Sequence, residues 1–473
     1  MNSPSTSRRA AWAAASLATV LGMTACGGGA ADASDPASAS ATDTQLATAL
    51  GRRNPPPPPP PPAPLTDATL ALASASASGQ AAEGDACGVS ANGSKVLLTS
   101  RASNLVAGDT NGLVDIFLKD FNGNGITRVV SAASNTPIIC LALTPDANTV
   151  VFVADAPNGV VDVLGFGGSE PAIMVKNLST GQQTRVTPLL SAFANVSAYQ
   201  FAGVSDDGLR AAFIAQPTRT CSGFDCTANG PARMLLRDLA SGALVNLESQ
   251  VRFTTSQGVA EGNAWLAPNG RTLAFSSKAA YPEAGDTTSK SDVYALDIAS
   301  GTVRLVNTDA AGRQITIAGT VSPTYGVQSF LANSSRLAFF TDYDTSAGPA
   351  GVYVKDLISG ALVRVLDRNL TYTVGNRAAL SFSDDGRRVA YVESSGGGLT
   401  ATSVPRVLDI ATGARVNAAT LSNGTVGNGL TTTSVLLSRD GQSVAFGNNS
   451  TNLLGGLSPL GGAELRAYRK LLP

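Results

Sequence analysis

The chain has 473 residues and no histidine. Without an imidazole there is no Ser-His-Asp or Cys-His proton relay and no ordinary zinc site, so most hydrolase and zinc-enzyme chemistries are excluded. Charge is also scarce, at 14% of residues, with 33 Lys and Arg against 34 Asp and Glu. A phosphate backbone needs clustered cations, so nucleic acid is not an expected partner. Gly-x-Ser-x-Gly and Ser-x-x-Lys are both missing, which removes the common serine nucleophile motifs. What the chain has in quantity is 49 glycines, 25 prolines and 43% hydrophobic residues at only 5% aromatic.

The first residues read as an address. Arg8 and Arg9 precede an apolar stretch, Ala10 to Met23, that is too short to span a bilayer and ends in small residues. Its last residues, Leu21-Gly22-Met23-Thr24-Ala25-Cys26, resemble the lipobox of bacterial lipoproteins, with Met23 a less usual occupant. The resemblance implies a signal peptide over 1–25 and lipidation of Cys26. Gly27 in place of Asp implies the outer membrane, on its periplasmic or outward side. The membrane is then met only through the lipid. Residues 26–65 form an Ala/Ser/Gly- and Pro-rich linker expected to be disordered. Its eight prolines, Pro55 to Pro62, suit a polyproline rod of about 25 Å that spaces the anchor from a folded body.

From residue 66 to 473 short apolar runs alternate with Gly, Asn, Asp and Ser, and none has helical spacing. An Asx-Gly-like turn, two residues and an apolar triplet recur seven times, at Asn92-Gly93, Asp146-Ala147, Asp207-Gly208, Asn269-Gly270, Asn333-Ser334, Asp385-Gly386 and Asp440-Gly441. A two-residue hairpin with both turn residues tolerant of positive φ is expected at each. A second element, such as KNLSTGQQTRV, RDLASGALVNL or KDLISGALVRV, supplies a third and fourth strand. Turn positions 52 to 64 residues apart exceed the usual propeller repeat of roughly 40 to 50, and the surplus falls in loops. The fold class is all-β, a seven-bladed β-propeller of four-stranded antiparallel blades. The seventh repeat ends at its third strand, and ATLALASASAS at 68–78 resembles the fourth strand of the first. The N-terminal segment is therefore expected to complete the last blade and cover its open edge.

The repeats resemble the TolB-like, WD-type propeller repeats of bacterial envelope proteins, most closely at residues 90–131 and more weakly around AFSSKAAYPEAGDTTSKSDVYALDIASG. The resemblance implies fold rather than function. TolB carries a further α/β domain ahead of its propeller that this sequence lacks, so its partners do not carry over.

Candidate chemistry is sparse. Asp109, Asn111 and Asp115 in GDTNGLVD have a composition that suits calcium, set against a turn whose Asx groups bond their own backbone. Blade four retains Asp286 and Asp292 of this pattern. Asp120-Phe121-Asn122-Gly123-Asn124-Gly125 opens like an EF-hand loop but ends on Ser131 where a Glu is required, and reads as a hairpin turn. No other cofactor is expected. Cys221 and Cys226, in a third-blade insertion, are expected to bond to each other; Cys87 and Cys140 either pair or remain buried thiols.

Two functions stay open. One is a non-enzymatic, monomeric binding or scaffold propeller that offers a loop face to a protein or envelope polymer. The other is a histidine-free glycan-acting hydrolase or lyase working through channel carboxylates, which a funnel with two close carboxyls of raised pKa would favour. The loops joining second to third strands open on the same face as those joining successive blades. Arg101, Phe166, Arg219, Phe224, Tyr281 and Tyr343 are the candidate contacts there.

Overall fold

The computed structural model describes residues 67–473 apart from 133–137, 156–170, 223–224, 231, 248–263, 278–280, 282–283, 289, 317–324, 331–333, 342–343, 368–379, 396–401 and 455–463. The described strands form seven four-stranded antiparallel sheets and one two-stranded hairpin. Blade one runs in chain order through Asp85–Val89, Lys95–Ser100, Asp115–Asp120 and Ile126–Val130. Blades two to six repeat that order, beginning at Ile139–Leu143, Val196–Val204, Ala264–Leu266, Tyr325–Phe330 and Leu380–Phe382. The first strand of each blade lies against the first strand of the next, and that of the seventh against that of the first. The seven therefore surround a central channel.

Closure is as expected. The seventh blade contributes Thr432–Leu437, Ser443–Asn448 and Arg466–Leu471, and its fourth strand is Leu70–Leu72 from the N-terminal side. Leu70 pairs with Lys470 and Leu72 with Tyr468, and both leucines are buried against blade six and seven residues. Thr69 and Asp67 extend the clasp. Thr69 accepts a bond from Lys470 Nζ at 2.6 Å, and Ser422 donates its backbone N–H to Asp67 at 2.9 Å.

The apolar triplets explain the packing. A second strand is covered by a neighbouring blade on each side, so both of its faces must be apolar and the run is continuous rather than alternating. Leu97 packs toward blade two, while Val96 and Leu98 pack toward blade seven. The terminal aromatic of the triplet faces the preceding blade at Phe152, Phe213, Phe275, Phe339, Tyr391 and Phe446. Each of these is no more than 1% exposed and worth roughly 2 to 3 kcal/mol in burial.

The recurrent turn differs from the expected two-residue hairpin. Among the described residues of these turns only the second has positive φ: 66° at Gly93, 58° at Ala147, 68° at Gly208, 67° at Gly270, 57° at Ser334, 67° at Gly386 and 69° at Gly441. The preceding Asn or Asp serves as an acceptor. Asp207 Oδ1 takes the Leu209 N–H at 2.9 Å and the Ser205 hydroxyl at 2.5 Å, and Ser205 Oγ accepts the Arg210 N–H at 2.9 Å. Ser90, Thr144, Ser383 and Ser438 repeat this arrangement. The Ser or Thr two residues before the Asx is thus part of the motif, because it satisfies the donors that the turn leaves unpaired.

A second device joins blades at their outer edges. In five of them a cation near the end of the third strand, followed by Asp or Asn in four and by Leu471 in blade seven, reaches carbonyls at the end of the preceding blade. Lys119 bonds Ala75 O, Lys176 bonds Val129 O, Arg237 bonds Val186 O, Lys355 bonds Thr308 O and Asp309 O, and Lys470 bonds Thr420 O. Lys119, Lys355 and Lys470 are at most 7% exposed, and burial pushes their ammonium pKa values down. Leu296 and Leu408 occupy the position in blades four and six, each followed by its Asp.

Candidate functional site

Successive strands alternate in direction, so the loops between second and third strands and those between blades emerge on one face, and the short turns on the other. Of the residues expected to form a binding surface on the loop face, Arg101 is exposed, its backbone N–H donating to Glu83 Oε1 at 2.9 Å. Arg219 is exposed at the start of an inserted hairpin. Phe166, Phe224 and Tyr343 lie outside the described residues.

Tyr281 is not a surface contact. It is 3% exposed, with its ring centroid 4.7 Å from Tyr294 and 6.3 Å from Phe275. The loop folds back on it, Ala284 N–H bonding Tyr281 O at 2.9 Å, so the length of this segment buries an aromatic over the blade four core instead of presenting it.

The Asp-rich loop of blade one meets a cation from its own chain. Asp109 and Asp115 are 3% and 0% exposed, and Arg128 Nη1 lies 3.1 Å from each. Asp115 also accepts the Ala132 N–H at 2.7 Å and Asn111 Nδ2 at 3.1 Å. In blade four a tyrosine stands in for the arginine. Tyr294 donates to Asp286 at 2.6 Å, and Gln314 donates to it at 2.9 Å. Asp292 takes Asn307 Nδ2 at 2.6 Å, and burial pushes its carboxyl up. Asp120 through Gly125 is the turn between the third and fourth strands of blade one, with Asp120 N–H bonding Gly125 O at 2.9 Å. Among the described residues no group of three Cys, Asp and Glu side chains is placed to hold a metal ion.

Cys87 and Cys140 are bonded to each other and tie the first strands of blades one and two, with Cα atoms 6.0 Å apart. Cys221 is disulfide-bonded, and Cys226 is the residue directly across from it in the hairpin register. That hairpin, Arg219–Ser222 paired with Asp225–Ala228, is a sheet of its own between the second and third strands of blade three.

At the opposite end of the channel two carboxyls come together. Asp206, in the blade three turn, lies 2.5 Å from Arg439 Nη2, and Asp384, in the blade six turn, lies 3.6 Å from Arg439 Nη1. Burial raises both carboxyls, while the guanidinium between them pulls the other way. None of the three was singled out in the sequence, although a signal exists: each is the residue just before a turn Asx, and Asp206 and Asp384 double the acid there.

These observations define a class: a seven-bladed β-propeller closed by an N-terminal strand. No family model matches the chain, and no curated protein matches it. Among solved structures it is similar to an oligogalacturonate lyase from Vibrio parahaemolyticus, at 12% identity over 85% of this chain and 90% of that one, with a TM-score of 0.51. It is also similar to TolB from Acinetobacter baumannii, at 14% identity over 76% of each chain and a TM-score of 0.38. The β-propeller domain of the Trilobed protease from Pyrococcus furiosus has 12% identity over 83% of this chain and 96% of that one, with a TM-score of 0.46. At such identities the likeness is one of fold.

Proposed function

We infer that this chain is an exported binding propeller, anchored through Cys26, whose loop face holds a protein or envelope polymer without chemical conversion. The observation that carries this reading is the blade three hairpin. Arg219, Thr220 and Cys221 are exposed, and the element pairs with no blade, so it adds nothing to the ring's ladders. Its base is nevertheless held, by Thr220 to Asn229 at 2.9 Å, Asn229 to Thr218 at 3.0 Å and the disulfide at Cys221. A pre-ordered projecting element costs little entropy on binding, which is the economy of a recognition loop. The disulfides also suit an oxidising compartment, in keeping with the leader and lipobox.

Replacing 219–228 by a short Gly-Ser turn should abolish capture of envelope components by residues 66–473 and leave stability within about 1 kcal/mol. Capture that survives this change and is lost on altering Ser241 and Gly242 would place the site on the other face. Cys26→Ser should move the protein from the membrane to the soluble fraction or block its processing; unchanged membrane association would remove the anchor from the reading.

One observation favours the glycan-acting alternative: Asp206 and Asp384 are two neighbouring carboxyls, both raised. Both are also held on Arg439, which keeps them from acting as a free acid and base. Glycan cleavage lost in Asp206→Asn and Asp384→Asn would restore that alternative.

A further inference from the structure

The turns joining first and second strands gather at one end of the channel, and in six of the seven the residue before the Asx bonds the adjacent turn. Ala91 N–H bonds Pro145 O at 2.8 Å, Asp206 N–H bonds Pro268 O at 2.8 Å, and Asp384 N–H bonds Arg439 O at 2.8 Å; Asp440 N–H bonds Ala91 O at 3.1 Å. These bonds run along a rim, from one blade to its neighbour. The contact of Arg439 with Asp206 does not. In a ring of seven, blade three is three steps from blade seven, nearly opposite, so a 2.5 Å contact between them crosses the bore. Arg439 is the least exposed of the three, its side chain at 24% against 40% for Asp206 and 55% for Asp384.

We propose that Arg439 is a strut spanning the turn-face end of the central channel, and that protonation of Asp206 and Asp384 releases it. This rests on neither functional reading above. The charged groups facing the strut are Asp206 and Asp207 from blade three, Asp384 and Asp385 from blade six, and its own neighbour Asp440. Asp207, Asp385 and Asp440 each accept a serine hydroxyl within their own turn, at 2.5, 2.6 and 2.6 Å, and are committed to holding it. Nearby cations are engaged elsewhere: Arg210 on Gly270 O, Arg388 on Gly441 O and Arg387 on Asp409. Arg439 is therefore the cation that meets the two bridging acids. Both acids sit above the ordinary carboxylate value of 3.8, so as pH falls they take up protons before an exposed acid would, and the guanidinium loses its partners.

The test is an arginine-selective nitrogen spectrum of the full chain, with the Arg439 side-chain signal assigned by its disappearance in Arg439→Lys. The expected signal is slowly exchanging at pH 7 and collapses with a midpoint above 3.8 while far-ultraviolet circular dichroism stays native. In Asp206→Asn/Asp384→Asn it is already in fast exchange at pH 7 and no longer titrates. A signal indifferent to pH until the chain unfolds, collapsing together with the fold, or unchanged in the double variant, overturns the proposal. Should that variant fail to fold, salt decides on the wild type. Raising it from about 0.1 to 1 M cuts the screening length from about 10 to 3 Å and should speed exchange at Arg439 but not at the buried Arg237; equal response at both sites overturns the proposal.

Discussion

At the turn face one hydrogen-bond pattern recurs in five of the seven blades, at Ser90, Thr144, Ser205, Ser383 and Ser438. At the loop face the Asp-rich pattern shared by blades one and four is satisfied differently in each. Asp109 of blade one is held by Arg128, and its counterpart Asp286 in blade four by Tyr294 and Gln314. The turn face must match its neighbours on both sides, so its geometry is shared. The described loops follow no common hydrogen-bond pattern, so their chemistry drifts, and blade three carries an inserted hairpin without any change to its four-stranded sheet. Recognition has room to evolve on that face, while the other carries the contact of Arg439 with Asp206 across the ring.

The comparison can be broken at several points, and the largest effect should come from the clasp that both faces depend on. Deleting 66–78 removes Leu70, Leu72 and the bonds of Thr69 and Asp67, and should cost 5 kcal/mol or more by the usual ~2 to 3 kcal/mol per buried leucine plus lost ladder bonds. Deleting 27–60 should leave the melting temperature nearly unchanged, and equal effects of the two deletions would contradict the closure. Next, Tyr281→Ala should cost about 3 to 5 kcal/mol in chemical denaturation, as for a buried aromatic. A loss under 1 kcal/mol would return Tyr281 to the surface, and the loop face would be free of core constraints altogether.

Lys355→Ala strips the hydrogen from Thr308 O, Asp309 O and Gly360 O and should cost roughly 3 kcal/mol. Lys355→Leu, the residue type blades four and six carry there, should recover part of that loss; no recovery would mean that those blades solve the edge by other contacts. At the turn face, Gly208→Ala should cost about 1 to 2 kcal/mol, since φ is 68° and an added Cβ would stand 2.6 Å from Thr149 Oγ1 of blade two.

The smallest effect, and the one of opposite sign, is expected at Asp85, between blades one and seven. Burial raises its carboxyl despite bonds from Thr433 at 2.6 Å and Ser434 at 3.2 Å. A folded-state value above the unfolded one means the fold holds the proton more tightly, so this group's contribution to stability falls as pH rises through the folded value. Asp85→Asn should therefore stabilise at pH 7, on the order of 1 kcal/mol, and much less near pH 3.5. Melting curves of the two proteins at both pH values decide it; a gain independent of pH would assign the effect to packing.

Blade number, strand order and closure were legible because they rest on local patterns repeated seven times: a turn acceptor, an apolar triplet, a second turn. The cation latches were equally local, since Lys or Arg precedes the Asx in KDFNGNG, KNLSTG, RDLASG and KDLISG, but their partners lie 44 to 51 residues away where the blades meet. Tyr281 was misread because a long, polar, Gly-containing segment looks exposed until one sees that it folds back over Phe275 and Tyr294.

By itself the sequence determined what each repeat would be, since φ preferences, Asx acceptors and apolar runs act within a few residues of one another. Which distant repeats touch was decided only by the ring. The tertiary structure chose pairing over free thiols for Cys87 and Cys140, and brought Arg439 to Asp206 at a separation of 233 residues. The second contact depends on curvature summed over several blades, and no local spacing in the chain encodes that sum.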